Sequence, residues 1–529
     1  MNEVTTTNEQ PKTGWLDTAG RIIDRCIYAV APVYGMQRMQ FRRSVALLSA
    51  HEGASNSNTR GSSWIGSRLS ADSVLEADLE TLRTRSRELY RNDSFGGTVD
   101  DKTNHVIGTG FTPQSRIDPK IVGTEAAQIF NAENEALYKR WSKTCDIGGR
   151  FSLWQQSRLM SRHFDVDGEG LAVMSDDATP ERPIPLTIEV VDPERLETPP
   201  GYIGNPRVRM GVERDVTGRV VAYHIRKTHP FDTLEFDQTY ERVEAWRVLH
   251  VYERWFAGQS RGLPWLCRAM NRLKDCKDLD EAAVITQQVQ ACFAVFVKTP
   301  FSPTSAAQAA ATGTSGNDRL QEIRPGGIHY QGVGEEIQFA SPSGTGNTYA
   351  PFQEWNYRRV AAAINWPFEM MVKNWGGLSF AAGRLVLTGL KMDVKSRQKL
   401  IDEAFLTPVW NRMVDEAVML GRSSIEPRLW AQRPWVYQEH KWTSPAWSYA
   451  ITPGEEVNAN IEAVNNNQKT LAAVVAESGE DLEEVLAQRK IEVAMQRDAE
   501  ILPPDIVKAE AAAMPAPQAL EAAGGSNAS

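Results

Sequence analysis

Three carboxylates at alternate positions, Asp165, Asp167 and Glu169 in the run DVDGE, are the nearest approach to a reactive centre in the sequence. Carboxylate oxygens at this density can hold a divalent cation that activates water, as a nuclease site does. A metal-dependent nuclease is therefore the enzymatic reading. The preferred reading is a turn between two strands, because Asp and Gly favour turns and the calcium-loop spacing does not continue past Glu169. Gly108-Thr-Gly110 lacks a third glycine and a clear preceding strand, so it too reads as a turn. His163, His250 and His440 have no companions at ligand or triad spacing and read as packed or surface residues. There is no GxxxxGK[ST] loop, no HExxH, no GxSxG and no paired Cys/His spacing. An ATPase with a P-loop of this kind is thereby excluded, and no catalytic residue, resident metal or cofactor is expected.

The elements that would position these residues are set by hydrophobic period. Leu75, Leu79, Leu82 and Leu89, interleaved with Arg and Glu, predict an amphipathic helix over 70 to 91. Alternating stretches between 184 and 255 predict a β-rich region, with a hairpin turn at DVTG, 215 to 218. From 265 the period lengthens to helical and predicts one helix to 297, about 50 Å at about 1.5 Å per residue, cut by Thr299-Pro300. Two short strands are expected within 327 to 339. A helix over 352 to 365 and a loop over 372 to 377 come next, then a third helix over 380 to 406. Thr452-Pro453-Gly454-Glu455 is a capping box with Pro at the first helical position, so a helix should run to about 464. A last helix is expected over 482 to 495. Residues 1 to 13 read as a loose polar arm, and 506 to 529, rich in Ala, Pro, Gly and Ser, as a disordered tail.

Composition bounds the class. A chain of 529 residues, 41% hydrophobic and 24% charged, is expected to fold into several water-soluble domains. No run is long and apolar enough for a membrane span, and the N-terminus has no signal-peptide pattern, so no membrane partner and no secretion are expected. Five scattered cysteines without a CxxC pair suit reduced thiols and a cytoplasmic setting. A net charge of −9 argues against tight nucleic-acid binding over a broad basic surface. Fifteen tryptophans are consistent with extensive contact between subunits.

Several segments, in order, resemble the lambda-type portal proteins of tailed bacteriophages. They are LRTRSRELYRND with VIGTGFTP, the DGEG at 167 to 170, HVYERWFAGQSRGLPWL, RPGGIHYQGVGEEIQFASPS, RRVAAAINWPFEMM, and ITPGEEVNA with SGEDLEEVLAQRKIE. The likeness runs from about residue 75 to 496. At KNWGGLSFAAGR, 373 to 384, the chain departs from the Asp- and Asn/Tyr/Ser-containing loop usual in the family.

The resemblance implies an α+β portal fold with a β-rich wing, long stem helices, a small α/β clip and a helical C-terminal crown. After the arm, the wing would span 14 to 264, the first stem helix 265 to 298, the clip 299 to 349 and the second stem helix 350 to 366. The tunnel-loop region would span 367 to 383, the long wing helix and the segment after it 384 to 449, and the crown 450 to 505. The implied assembly is a ring of twelve subunits at the portal vertex of the virion capsid, built in the host cytoplasm. Its implied partners are the terminase, the major capsid protein, head-completion and tail adaptor proteins, and double-stranded DNA passing without sequence specificity. The DNA-facing residues would be Lys373, Asn374, Trp375, Gly376 and Gly377, with the two glycines letting the loop move. A monomeric virion adaptor or scaffold is the other non-enzymatic alternative.

Overall fold

A computed structural model describes residues 67–234, 237–291, 295–298, 336–339, 349–445, 453–499 and 501. The chain divides at Ser70 into two units, and the four described residues of the first, 67 to 70, carry neither helix nor strand. All the helices and strands described belong to the second. The expected arm and tail, and most of the expected clip, lie outside the described residues.

The second unit opens with α1, Ala71–Asn92, and α2, Gly96–Ile107. After β1, Thr112–Ser115, come α3, Pro119–Val122, α4, Thr124–Trp141, and α5, Leu153–Asp167. A reciprocal capping box starts α5: Ser152 Oγ accepts from the Gln155 amide, while Gln155 Oε1 accepts from the Ser152 amide at 2.9 Å. Gly168 ends it in the left-handed region at φ +89°. DVDGE is thus a helix-to-strand junction and not the expected turn between strands. Asp165 and Asp167 belong to the last helical turn, and Glu169 opens β2.

Strand β2, Glu169–Asp176, lies between β3, Leu186–Val191, and β8, Val248–Tyr252, antiparallel to both. A second antiparallel sheet runs in sequence order through β4, Val208–Arg209, β5, Val212–Arg214, β6, Val220–Arg226, and β7, Tyr240–Glu244. The hairpin turn falls at 215 to 218 as expected, with Gly218 at φ +86°. Strand period explains the layering. Ala172 and Met174 of β2 enter the large core shared with the helices, whereas Leu171 and Val173 enter a smaller core beneath the four-stranded sheet. The central sheet is buried on both faces.

Past a short 3₁₀ turn, Trp265–Arg268, helix α6 spans Met270–Ala291 and stops earlier than the expected 297. The chain then forms β9, Val295–Lys298, paired antiparallel with β10, Glu336–Phe339. VFVK is alternating and β-branched, a pattern that sits as readily in a strand as in the last turn of a helix, and the distant partner decides it. Helix α7, Tyr349–Ile364, is succeeded by the short α8, Phe368–Val372, and by α9, Phe380–Ile401. The third helix does not end at 406. Pro408 cannot donate to the Ala404 carbonyl, and a π-helical segment, Asp402–Leu406, leads directly into α10, Thr407–Met419. The α10 residues Val409, Trp410, Met413, Val414, Ala417 and Val418 are fully buried.

Helices α11, Pro427–Gln432, and α12, Pro434–Tyr437, precede β11, His440–Thr443, which pairs with β1 and ties residue 443 back to residue 112. The C-terminal helices α13, Pro453–Asn465, α14, Leu471–Glu477, and α15, Leu482–Asp498, include the two expected there, at 453 and 482. No described helix is long and apolar enough to cross a membrane.

Candidate functional site

Two places in the fold hold the residues with chemical potential: the junction with the three carboxylates, and the segment between α8 and α9.

The carboxylates are not an open site. Asp165, Asp167 and Glu169 are 1%, 1% and 0% exposed, which demands a partner for each charge. Asp165 Oδ1 accepts from Lys102 Nζ at 2.8 Å and lies 3.6 Å from Arg397. Asp167 accepts from Arg87 Nε and from His163 Nδ1, both at 2.6 Å. Glu169 Oε1 takes Arg83 Nη2 at 2.6 Å and Arg261 Nε at 2.7 Å, and its Oε2 takes His250 Nε2 at 2.9 Å and the Gly262 amide at 2.8 Å. These partners come from α1, α2, β8, α9 and the loop after β8, with His163 supplied by α5 itself. The junction is an ionic hub that ties five parts of the fold together. With the carboxylate oxygens already taken by fixed cations and amides, the nuclease reading fails on geometry.

The electrostatics agree. Burial alone would raise the pKa of Glu169, but Arg261, Arg83 and His250 outweigh it and hold the carboxyl well below the ordinary range. Burial likewise opposes ionisation of Asp167, and the hydrogen bonds from His163 and Arg87 more than offset it. Burial pushes Lys102 down to about 8 despite Asp165, helped by the nearby Arg397. Burial also lowers the pKa of His250, which favours a neutral imidazole donating through Nε2. Lys102 Nζ sits 3.5 Å from the Trp265 ring centroid, and the Arg397 guanidinium 3.6 Å from that of Phe164, so aromatic faces share the load.

His163 and His250 therefore do have companions, brought to them by the helix turn and the sheet. His440 stacks near Trp410 and contacts Thr407 at 3.0 Å, as a packed residue. The carboxylate run by itself does not point to the cations of the hub, although the sequence carries a signal for them. Arg83 and Arg87 continue the 75, 79 spacing of α1 by steps of four, and Lys102 lies three residues after Val99 and four before Val106 in α2. A charge in the phase of a buried stripe needs a buried counter-charge.

The segment between α8 and α9 has a different character. Lys373 caps α8 with a left-handed backbone at φ +52°, and Asn374 Oδ1 accepts from the Gly376 amide at 3.1 Å. Gly377 has φ +83°, a conformation glycine adopts freely, and Ser379 caps α9 by accepting from the Ala382 amide. The loop proper is thus 373 to 379, close to the expected 372 to 377. The Trp375 ring is half exposed and the Lys373 side chain 68% exposed, its Nζ 3.9 Å from Asp101 Oδ1. Downstream, α9 buries no residue before Leu390, and Phe380 and Leu385 face solvent.

Comparison with known proteins places this arrangement. The family described as "Phage portal protein, lambda family" matches residues 57–398, from before α1 to near the end of α9. A probable portal protein of Halomonas phage phiHAP-1 is 25% identical over 446 residues, covering 80% of this chain and 83% of the relative. Portal protein B of Escherichia phage lambda is 20% identical over 488 residues, 86% of this chain and 91% of that protein. Among solved structures, a chain in the neck of a native gene transfer agent particle, computed with C12 symmetry, aligns with 76% of this chain and 93% of its own length, at 10% identity and a TM-score of 0.42. A family match over well over half the sequence leads to one conclusion: the chain belongs to the lambda family of phage portal proteins.

Proposed function

We propose that the chain closes into a ring at one capsid vertex and serves as the channel for genome packaging and ejection. The observation that carries this reading is the family match, whose span takes in the loop at 373 to 379. In this reading the ring has twelve subunits, as the resemblance implies. The terminase docks at the residues between β9 and α7, head-completion and tail proteins take its place there later, and the major capsid protein surrounds the wing. The stem would be α6 and α7, and α13 to α15 the crown.

The loop from Lys373 to Gly377 faces the passing duplex. A channel that moves DNA of any sequence must not grip it, because each basic phosphate contact releases counterions and deepens a binding well. One lysine in the loop, beside an exposed Trp375, meets that requirement: it offers contact without a continuous basic surface. Gly377 leaves the backbone free to shift as the duplex advances. Replacing residues 373 to 377 by a Gly/Ser linker should leave particles assembled but reduce packaged or retained DNA, measured by nuclease-protected DNA per particle. Unchanged packaging and unchanged retention together would remove the loop from the mechanism.

A further inference from the structure

Around Asp165 and Glu169 cations are in surplus: two basic side chains serve each carboxylate. At the outer end of the hub the balance reverses. There Arg87 alone serves three carboxylates, with Nε 2.6 Å from Asp167 Oδ1, Nη2 2.7 Å from Asp192 Oδ1 and Nη1 3.2 Å from Glu194 Oε2. One positive charge against three negative ones makes this end locally acidic, although the hub as a whole balances, with Lys102, Arg83, Arg87, Arg261 and Arg397 against Asp165, Asp167, Glu169, Asp192 and Glu194. The side chains that complete this end are two partly exposed histidines. His163 faces Asp167, and His229 Nε2 lies 2.9 Å from Glu194 Oε2 and 3.7 Å from Asp192 Oδ2.

We propose that Asp192, Glu194 and His229 form a binding site for a divalent transition-metal ion such as Zn²⁺. Two carboxylate oxygens and an imidazole nitrogen are a donor set that such ions take. The three ligand atoms lie within 4.8 Å of one another. Bonds of about 2.0–2.2 Å to a shared ion bring ligand atoms within about 4.4 Å of one another, a limit that His229 Nε2 already meets toward Glu194 Oε2 at 2.9 Å and Asp192 Oδ2 at 3.7 Å.

The carboxylates are already oriented. Asp192 Oδ1 accepts from Arg87 and, at 2.9 Å, from the Glu194 amide, which turns Oδ2 toward His229. Pro193, between the two acids, has its carbonyl fixed by Arg83 Nη1 at 3.3 Å and Arg261 Nη2 at 2.8 Å. The third ligand lies on the connection between β6 and β7, so an ion would pin that connection to the hub. Partial exposure of all three groups leaves room for a water ligand. The contact between Arg87 and Glu194 Oε2 weakens the site relative to a closed structural zinc centre.

The test is equilibrium dialysis of tag-free, full-length protein against ZnCl₂, with bound metal read by mass spectrometry. The comparison is with His229→Ala and Glu194→Gln, each first shown by its metal-free melting curve to be folded. The expected result is one zinc ion per chain in the unmodified protein, bound at least about tenfold more weakly in each variant. Equal zinc binding by the unmodified protein and both variants, or no binding by any of them, would overturn the site.

Discussion

At the scale of single residues, the hub shows why a motif that suggests chemistry can be structural. Acidic residues separated by one position look like a cation site when only their own run is read. In the fold, each is met by basic side chains from distant segments, and Glu169 alone receives Arg83, Arg261, His250 and the Gly262 amide. Glu169→Gln should cost about 3–5 kcal/mol, because it leaves two buried guanidiniums without their counter-charge. The sign of the pH dependence is set by its depressed pKa. The Glu169 contribution is fully present above the ordinary carboxylate range and is lost as pH falls through the lower folded value. Denaturant titrations should therefore show a large gap between Glu169→Gln and the unmodified protein at neutral pH, narrowing in strong acid. A gap that is small or constant with pH would contradict the ionic role.

At the scale of elements, the junction from α5 to β2 depends on close backbone approach. Gly168 has φ +89°, and a β-carbon there would sit 2.6 Å from the Leu263 and Pro264 nitrogens. Gly168→Ala should destabilise the protein by more than about 3 kcal/mol, combining left-handed strain with a clash against backbone. Gly258 has a similar φ of +82° with nothing near it, so Gly258→Ala should cost only about 1–2 kcal/mol. Thermal melts of the two variants separate packing from conformational strain.

Elements are also where the sequence is most and least legible. Helix α1, the 215 to 218 turn, and the helices beginning at 453 and 482 depend on local period and capping, and they lie where expected. The end of α6 and the passage through Pro408 are not legible, because each is decided by a distant segment: β10 for the first, the fully buried α10 for the second. The loop at 373 to 379 is visible through its paired glycines and Trp-Pro boundary. Short α8 is hidden beside it, as five residues are too few to show a period.

At the scale of the whole molecule, the proposed ring accounts for features that a single chain leaves open. Helices α14 and α15 bury no side chain, and Leu486, Ile491 and Met495 of α15 are at least half exposed. The first ten residues of α9 are in the same position, with Phe380 and Leu385 uncovered. Apolar surface on several separate elements fits a subunit that buries it against neighbours in an assembly. A cyclic ring uses two different complementary faces per subunit, which lets each uncovered helix meet a different part of the next copy.

The measurement that bears most directly on the ring is single-particle electron microscopy of the purified full-length chain, with classes sorted by rotational symmetry. The prediction is closed rings with a central channel wide enough for a DNA duplex. Monomers or open filaments under every salt condition tried would contradict it.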